Sequence, residues 1–117
     1  MEHGSVIAFR SSAEDERRLE VRANFGVFTG REATSAELDE LGQLLLREVG
    51  QVAVISEQRH EVGVNAGAAL HQVRIEIDEE QVPAAREERD ELAERLVALA
   101  QDWILLCAAE RHAEVTE

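Results

Sequence analysis

The sequence predicts an α+β protein. It should be a two-layer sandwich with element order ββαββα, a four-stranded antiparallel or mixed sheet, and two helices on one face. Three observations carry this. The stretches Leu19-Glu20-Val21-Arg22-Ala23-Asn24-Phe25 and His71-Gln72-Val73-Arg74-Ile75-Glu76-Ile77 alternate apolar and polar residues, the period of a strand with one face buried. Two other segments carry leucines at helical spacing, each giving one dominant apolar stripe to bury. The chain has 117 residues, enough for one domain that buries about 65% of its unfolded surface.

In chain order, Ser5-Val6-Ile7-Ala8-Phe9 reads as a short strand and Ser11 to Arg17 as a polar loop. Leu19 to Phe28 reads as a second strand, closed by Thr29-Gly30. Thr34-Ser35-Ala36-Glu37 fits a capping box, in which the Thr34 hydroxyl accepts from the amide three residues on and Glu37 reaches back. Leu38, Leu41, Leu45 and Val49 follow at helical spacing, and Gly50 suits the left-handed residue that ends a helix. Gly42, inside that helix, costs about 1 kcal/mol relative to Ala. Val52-Ala53-Val54-Ile55 begins a third strand that can run to Val62. Gly63 to Ala69 is a loop, and His71 to Asp78 is the fourth strand. Pro83 fits the first turn of a last helix, where its missing N–H does no harm. That helix runs to about His112, with Leu92, Leu96, Leu99, Trp103 and Leu106 as its main stripe, close to a heptad seam.

Right-handed crossovers would put the second and fourth strands side by side in the centre of the sheet, running parallel. At fold level this is similar to a circularly permuted ferredoxin-like sandwich, an architecture that hosts many unrelated functions and implies none. The two halves share a plan and a Val-Arg strand, with Arg22 and Arg74 separated by 52 positions. Outside that strand they show no convincing identity. The strand pairing would set Arg22 beside Arg74 on the uncovered face, with Glu20, Asn24, Gln72 and Glu76 around them. Arg22, Arg74, Asn24 and Glu76 are therefore the candidate ligand-binding residues. The mixed signs fit a salt-bridged lattice or an interface as well as a site for a carboxylate or phosphate.

Composition narrows the function classes. The net charge is −13, and all twelve basic residues are Arg, with no Lys. An Ala-, Glu- and Val-rich chain without Lys is what GC-rich coding produces. An acidic surface with few aromatics disfavours nucleic acid and anionic membranes and favours solubility and a basic protein partner. Cys107 stands alone, so no intrachain disulfide forms, and no signal peptide or membrane span is apparent; a cytoplasmic location is expected. No phosphate loop, nucleotide-binding glycine fingerprint or paired-cysteine site is present, so no catalytic residue, metal site or cofactor is assigned. Cys107 lies near a helix C-terminus, where the dipole disfavours thiolate, and reads as a buried structural thiol. Trp103 reads as core. With a compact loop, His60 would lie opposite residue 72 or 73, so only some registers bring it to His71.

The last helix is apolar on more than one side. Val97, Ala100, Ile104 and Cys107 form a second stripe and Leu105 adds a further direction, more than one sheet needs to cover. These five are the candidate dimer-interface residues, and a homodimer is expected. The expected function is a self-associating protein-interaction module. The alternatives are a small-anion or metabolite-binding domain that uses the open sheet face, and a small enzyme with a site between subunits built on His60 or His71.

Overall fold

Residues 7–13, 18–60 and 69–116 are described by the computed structural model, excluding the side chains of 59, 60, 69, 70 and 110–116. The elements are β1 (Ala8–Arg10), β2 (Leu19–Ala23), α1 (Phe25–Thr29), α2 (Ser35–Glu48), β3 (Ala53–His60), β4 (Ala69–Ile77) and α3 (Arg86–Thr116). A 3₁₀ turn over Glu79–Gln81 joins β4 to α3. The expected strand at 5–6, the loop at 14–17 and most of the loop at 63–69 lie outside the described residues.

The protein is α+β, with a four-stranded antiparallel open sheet and two main helices packed on it, compatible with a ferredoxin-like sandwich. The strand order is β1-β2-β4-β3. β2 and β4 are adjacent and central, as the twin strands imply, but they run antiparallel rather than parallel. The reason is topological. α2 carries the chain from β2 to β3, which run the same way but are not neighbours, and β4 turns back from β3 to fill the gap between them. The register sets Arg22 directly opposite Arg74, so the local twofold of the antiparallel β2–β4 pair passes between these two residues.

The helix-facing side of the sheet is Leu19, Val21 and Ala23 on β2 and Val73, Ile75 and Ile77 on β4, all within 5% of full burial. Leu41 and Leu45 of α2 close over them. Each fully buried aliphatic chain is worth about 1.5–3 kcal/mol. Arg10, on the same side of β1, reaches Asp90 of α3 at 2.8 Å and ties the short edge strand to the helix start.

The strand expected to run to Phe28 stops at Ala23, and α1 takes over. Phe25, Phe28 and Thr29 carry the buried or half-buried side chains there, a spacing of three and four rather than two. The Thr29 hydroxyl donates to the Phe25 carbonyl at 2.9 Å, and Gly30, at φ 74°, ends the turn by donating to the Gly26 carbonyl. Gly26 is required by a close approach: a Cβ there would stand 3.0 Å from the His71 Cβ and 3.2 Å from its backbone nitrogen.

α2 begins with the predicted capping box: the Thr34 hydroxyl accepts from the Glu37 amide at 3.1 Å, and the Glu37 carboxylate accepts from the Thr34 amide at 2.9 Å. Gly50 closes the helix at φ 116°. Pro83 is not in the first turn of α3, because the 3₁₀ turn delays the helix to Arg86. The buried Arg89 donates to the Ala84 carbonyl at 2.6 Å in the segment between.

The buried face of α3 is not the expected main stripe. It runs through Arg89, Ala93, Leu96, Ala100, Trp103, Ile104 and Cys107. Arg89 and Cys107 are five full turns apart at 3.6 residues per turn. The leucines at 92, 99 and 106 repeat every seven residues and drift by about 20° per heptad on a straight helix. Leu92 and Leu99 accordingly sit at the core margin, and Leu106 is 64% exposed.

Candidate functional site

The uncovered sheet face is built in rows across four strands. The central row is Phe9, Arg22, Arg74 and Ile55, since Phe9 pairs with Arg22, Arg22 with Arg74, and Arg74 with Ile55. Two like charges thus stand directly opposite each other, an arrangement that destabilises a sheet unless it is compensated. Three carboxylates compensate it. Arg22 Nε donates to Glu20 at 3.1 Å, and its Nη1 donates to Glu57 at 2.8 Å and to the Gln72 carbonyl oxygen at 3.3 Å. Arg74 pairs with Glu57 at 3.2 Å, with Glu20 at 3.9 Å and, along its own strand, with Glu76.

Glu20 is held from both sides. The Ser11 hydroxyl donates to its carboxylate at 2.8 Å, and the Ser12 hydroxyl accepts from its amide at 3.2 Å. Burial pushes the Glu20 carboxyl up, but the Ser11 hydrogen bond and the charges of Arg22 and Arg74 outweigh it and hold it below the ordinary carboxylate range. The Gln72 amide donates to the Asn24 side-chain oxygen at 2.7 Å. Arg22, Arg74, Asn24 and Glu76 therefore share one face, but in two groups: three of them in the charged lattice, Asn24 in its own bond beside it. The lattice sets two guanidiniums against three carboxylates, one net negative charge. An anion arriving there must displace a carboxylate. Glu57 is absent from the sequence reading because it sits beyond the β-branched run that marks β3. Extending the alternation from Ile55 by two residues is the signal that finds it.

One edge of this face opens into a cleft of about 570 Å³, lined among others by Arg18, Leu19, Glu20, Val52, Glu76, Ile77, Asp78 and Glu79. It lies where β2 and β3 begin and β4 ends.

The candidate interface residues of α3 separate into two groups. Ala100, Ile104 and Cys107 are at most 1% exposed and belong to the chain's own core, which Val97 packs against. Leu105 is 51% exposed and lies beside Leu106. The exposed residues of α3 between positions 98 and 109 are Ala98, Asp102, Leu105, Leu106 and Ala109, with Leu99 half-buried at the core margin; toward the helix start the exposed face continues through Glu91, Glu94 and Arg95.

Trp103 is 4% exposed and meets Phe25 at 5.1 Å between ring centroids. Arg31 lies 5.3 Å over the Phe25 ring and grips both Glu37 oxygens, at 2.8 and 2.6 Å. This ladder joins the α2 cap to α3 through α1. Its first cause, the Arg31 bond, pulls the Glu37 carboxyl down from 4.5 to about 2 against burial, with the Thr34 amide adding to it. Cys107 is buried and is not in a disulfide.

His71 is half-buried, on the helix-facing side under α1, and its Nδ1 has no hydrogen-bond partner. Position 60 pairs with position 69, not with 72 or 73, and His71 pairs with Gln58. Positions 60 and 71 therefore share a face, two residues out of register. The His60 side chain is outside the described residues, as are His3 and the His112 side chain. Among the described residues no group of three or more metal-ligating side chains occurs, and no helix is long and apolar enough to cross a membrane.

Comparison with family models, with curated proteins and with solved structures gives no match to this chain.

Proposed function

We propose that the chain is a cytoplasmic protein-interaction module, not an enzyme, that works as a twofold homodimer joined through the outward face of α3. The observation that carries this is the pair Leu105 and Leu106, 51% and 64% exposed, flanked by the exposed Ala98 and Ala109. Single exposed apolar residues such as Val27 and Leu46 are ordinary on any surface. Two adjacent exposed leucines, with Asp102 the one charged residue among the exposed positions from 98 to 109, are a patch, and patches of this kind mark association sites. The apolar stretch from Ala98 to Ala109 spans about 18 Å, roughly three turns over which two copies can pair. A twofold axis places the same patch on both partners, so one apolar face suffices. The net charge of −13 then favours a basic protein as the next partner.

Sedimentation velocity tests it: the wild type should run as a dimer at tens of micromolar, and Leu105→Ser/Leu106→Ser as a folded monomer. A wild type that stays monomeric across that range removes the proposal.

A second reading has one observation in its favour. Arg74 Nε is buried without an acceptor, so Arg22 and Arg74 could hold a small carboxylate or phosphate. That ligand must break the bonds of Glu57 to both arginines, whereas pairing of α3 breaks none. Equal thermal stabilisation of wild type and Arg22→Ala/Arg74→Ala by anionic metabolites would dismiss it.

A further inference from the structure

We infer that the cleft at the β2–β4–β3 end of the sheet docks a basic segment of a partner protein by receiving the side chain of an arginine or lysine. The cleft holds about 570 Å³, within the usual size of binding pockets. Its accessible apolar lining is Val52 and Ala53, over a floor of Leu19 and Ile77 that is 1% and 5% exposed. Its ionised lining is four carboxylates, Glu20, Glu76, Asp78 and Glu79, against one guanidinium, Arg18.

These carboxylates are not equivalent. Glu20 and Glu76 are already bonded to Arg22 and Arg74 and form a fixed negative wall. Asp78 and Glu79 are exposed, and among the described residues neither carboxylate has an ion-pair partner. The Gln51 and Gln81 side chains add amide groups at the same rim.

A ligand must satisfy both parts. An anion meets the exposed carboxylates of Asp78 and Glu79, with Arg18 as the one cation in the lining. A wholly apolar group would bury the carboxylates without partners, which is costly. An arginine or lysine side chain matches both, since its aliphatic stem covers apolar surface while its cationic head stays at a polar rim. The inference deepens the protein-partner half of the proposed function. It is separate from the dimer, because no residue of the cleft lies on α3.

The test is NMR titration of the ¹⁵N-labelled full chain with acetyl-Gly-Arg-Gly-amide, its lysine counterpart, its citrulline counterpart and spermidine. The arginine and lysine peptides should shift the amides of Gln51, Val52, Ile77 and Asp78, and the citrulline peptide should not. Asp78→Asn/Glu79→Gln should weaken binding by about fivefold, from two rim charges at about 0.5 kcal/mol each. Glu87→Gln/Glu88→Gln, an equal charge change at the exposed start of α3, should leave binding unchanged. Equal weakening by both variants would mean unspecific attraction and overturn the inference. So would shifts centred elsewhere, no shifts with either cationic peptide, or tighter binding of spermidine than of both peptides. Because the readout is amide shifts at the cleft, a monomeric chain that still binds the peptide contradicts the dimer alone.

Discussion

Arg22 and Arg74 are direct cross-strand partners on the two central strands, and Glu57 reaches across from the edge strand to bond both, at 2.8 and 3.2 Å. The carboxylate spans β4 to reach β2, passing over Gln72, its own register partner. Without it, two guanidiniums would share a row with only the carboxylates of Glu20 and Glu76 to separate them.

Glu57→Gln should therefore cost about 1–2 kcal/mol in urea denaturation, more than an ordinary surface change. Double-mutant cycles of Glu57 with Arg22 and with Arg74 should each give a coupling of about 1 kcal/mol. Additive effects would show that the three residues are neighbours without a shared network.

Acid should unfold the protein in a defined window. Glu37 titrates at about 2 in the folded chain against 4.5 when unperturbed, and Glu20 is shifted the same way. A folded pKa below the unfolded one gives stability that is complete above about 4.5 and lost as pH falls toward 2. Stability should thus change little from pH 7 to 5 and drop steeply below 4.5. Glu37→Gln should remove part of that slope and cost about 1 kcal/mol at pH 7, by breaking the capping box and the Arg31 bond. An unchanged slope below pH 4.5 would show that Glu37 is not a principal source of the acid sensitivity.

Two helical glycines should respond with opposite sign. A Cβ at Gly42 meets nothing within 4 Å, so Gly42→Ala should raise stability by about 0.5–1 kcal/mol, through helix propensity and a less flexible unfolded chain. Gly26→Ala would press on His71 at 3.0 Å and should destabilise by about 1–3 kcal/mol. Thermal melts of both variants check this. Destabilisation at Gly42 would contradict the open space beside it.

The parts of the fold legible in the sequence were those governed by local periodicity and local chemistry. The alternation through Arg22 and Arg74 marked the central strands, and Thr34 with Glu37 marked the start of α2. Strand direction was not local: β4 fills the space between β2 and β3, and nothing in the residues of β4 records that. α1 was hidden because Phe25 continues the alternation of β2, while the contact that stops the strand is Gly26 against His71, 45 positions on. On α3, two apolar stripes compete: the one through Ala93, Leu96, Ala100, Ile104 and Cys107 is buried, and the leucines at 92, 99 and 106 drift from its margin toward the surface. The open-face residues were legible as neighbours, and their saturation by Glu57 was not.

The exposure of Leu105 and Leu106 is what the proposed dimer rests on. Sedimentation velocity of the wild type beside Leu105→Ser/Leu106→Ser, from 1 to 100 μM on the order-of-magnitude scale of ordinary association, tests it most directly. The wild type should form a concentration-dependent dimer and the variant should remain a folded monomer. A wild type that remains monomeric throughout, or a variant that dimerises equally well, would contradict it.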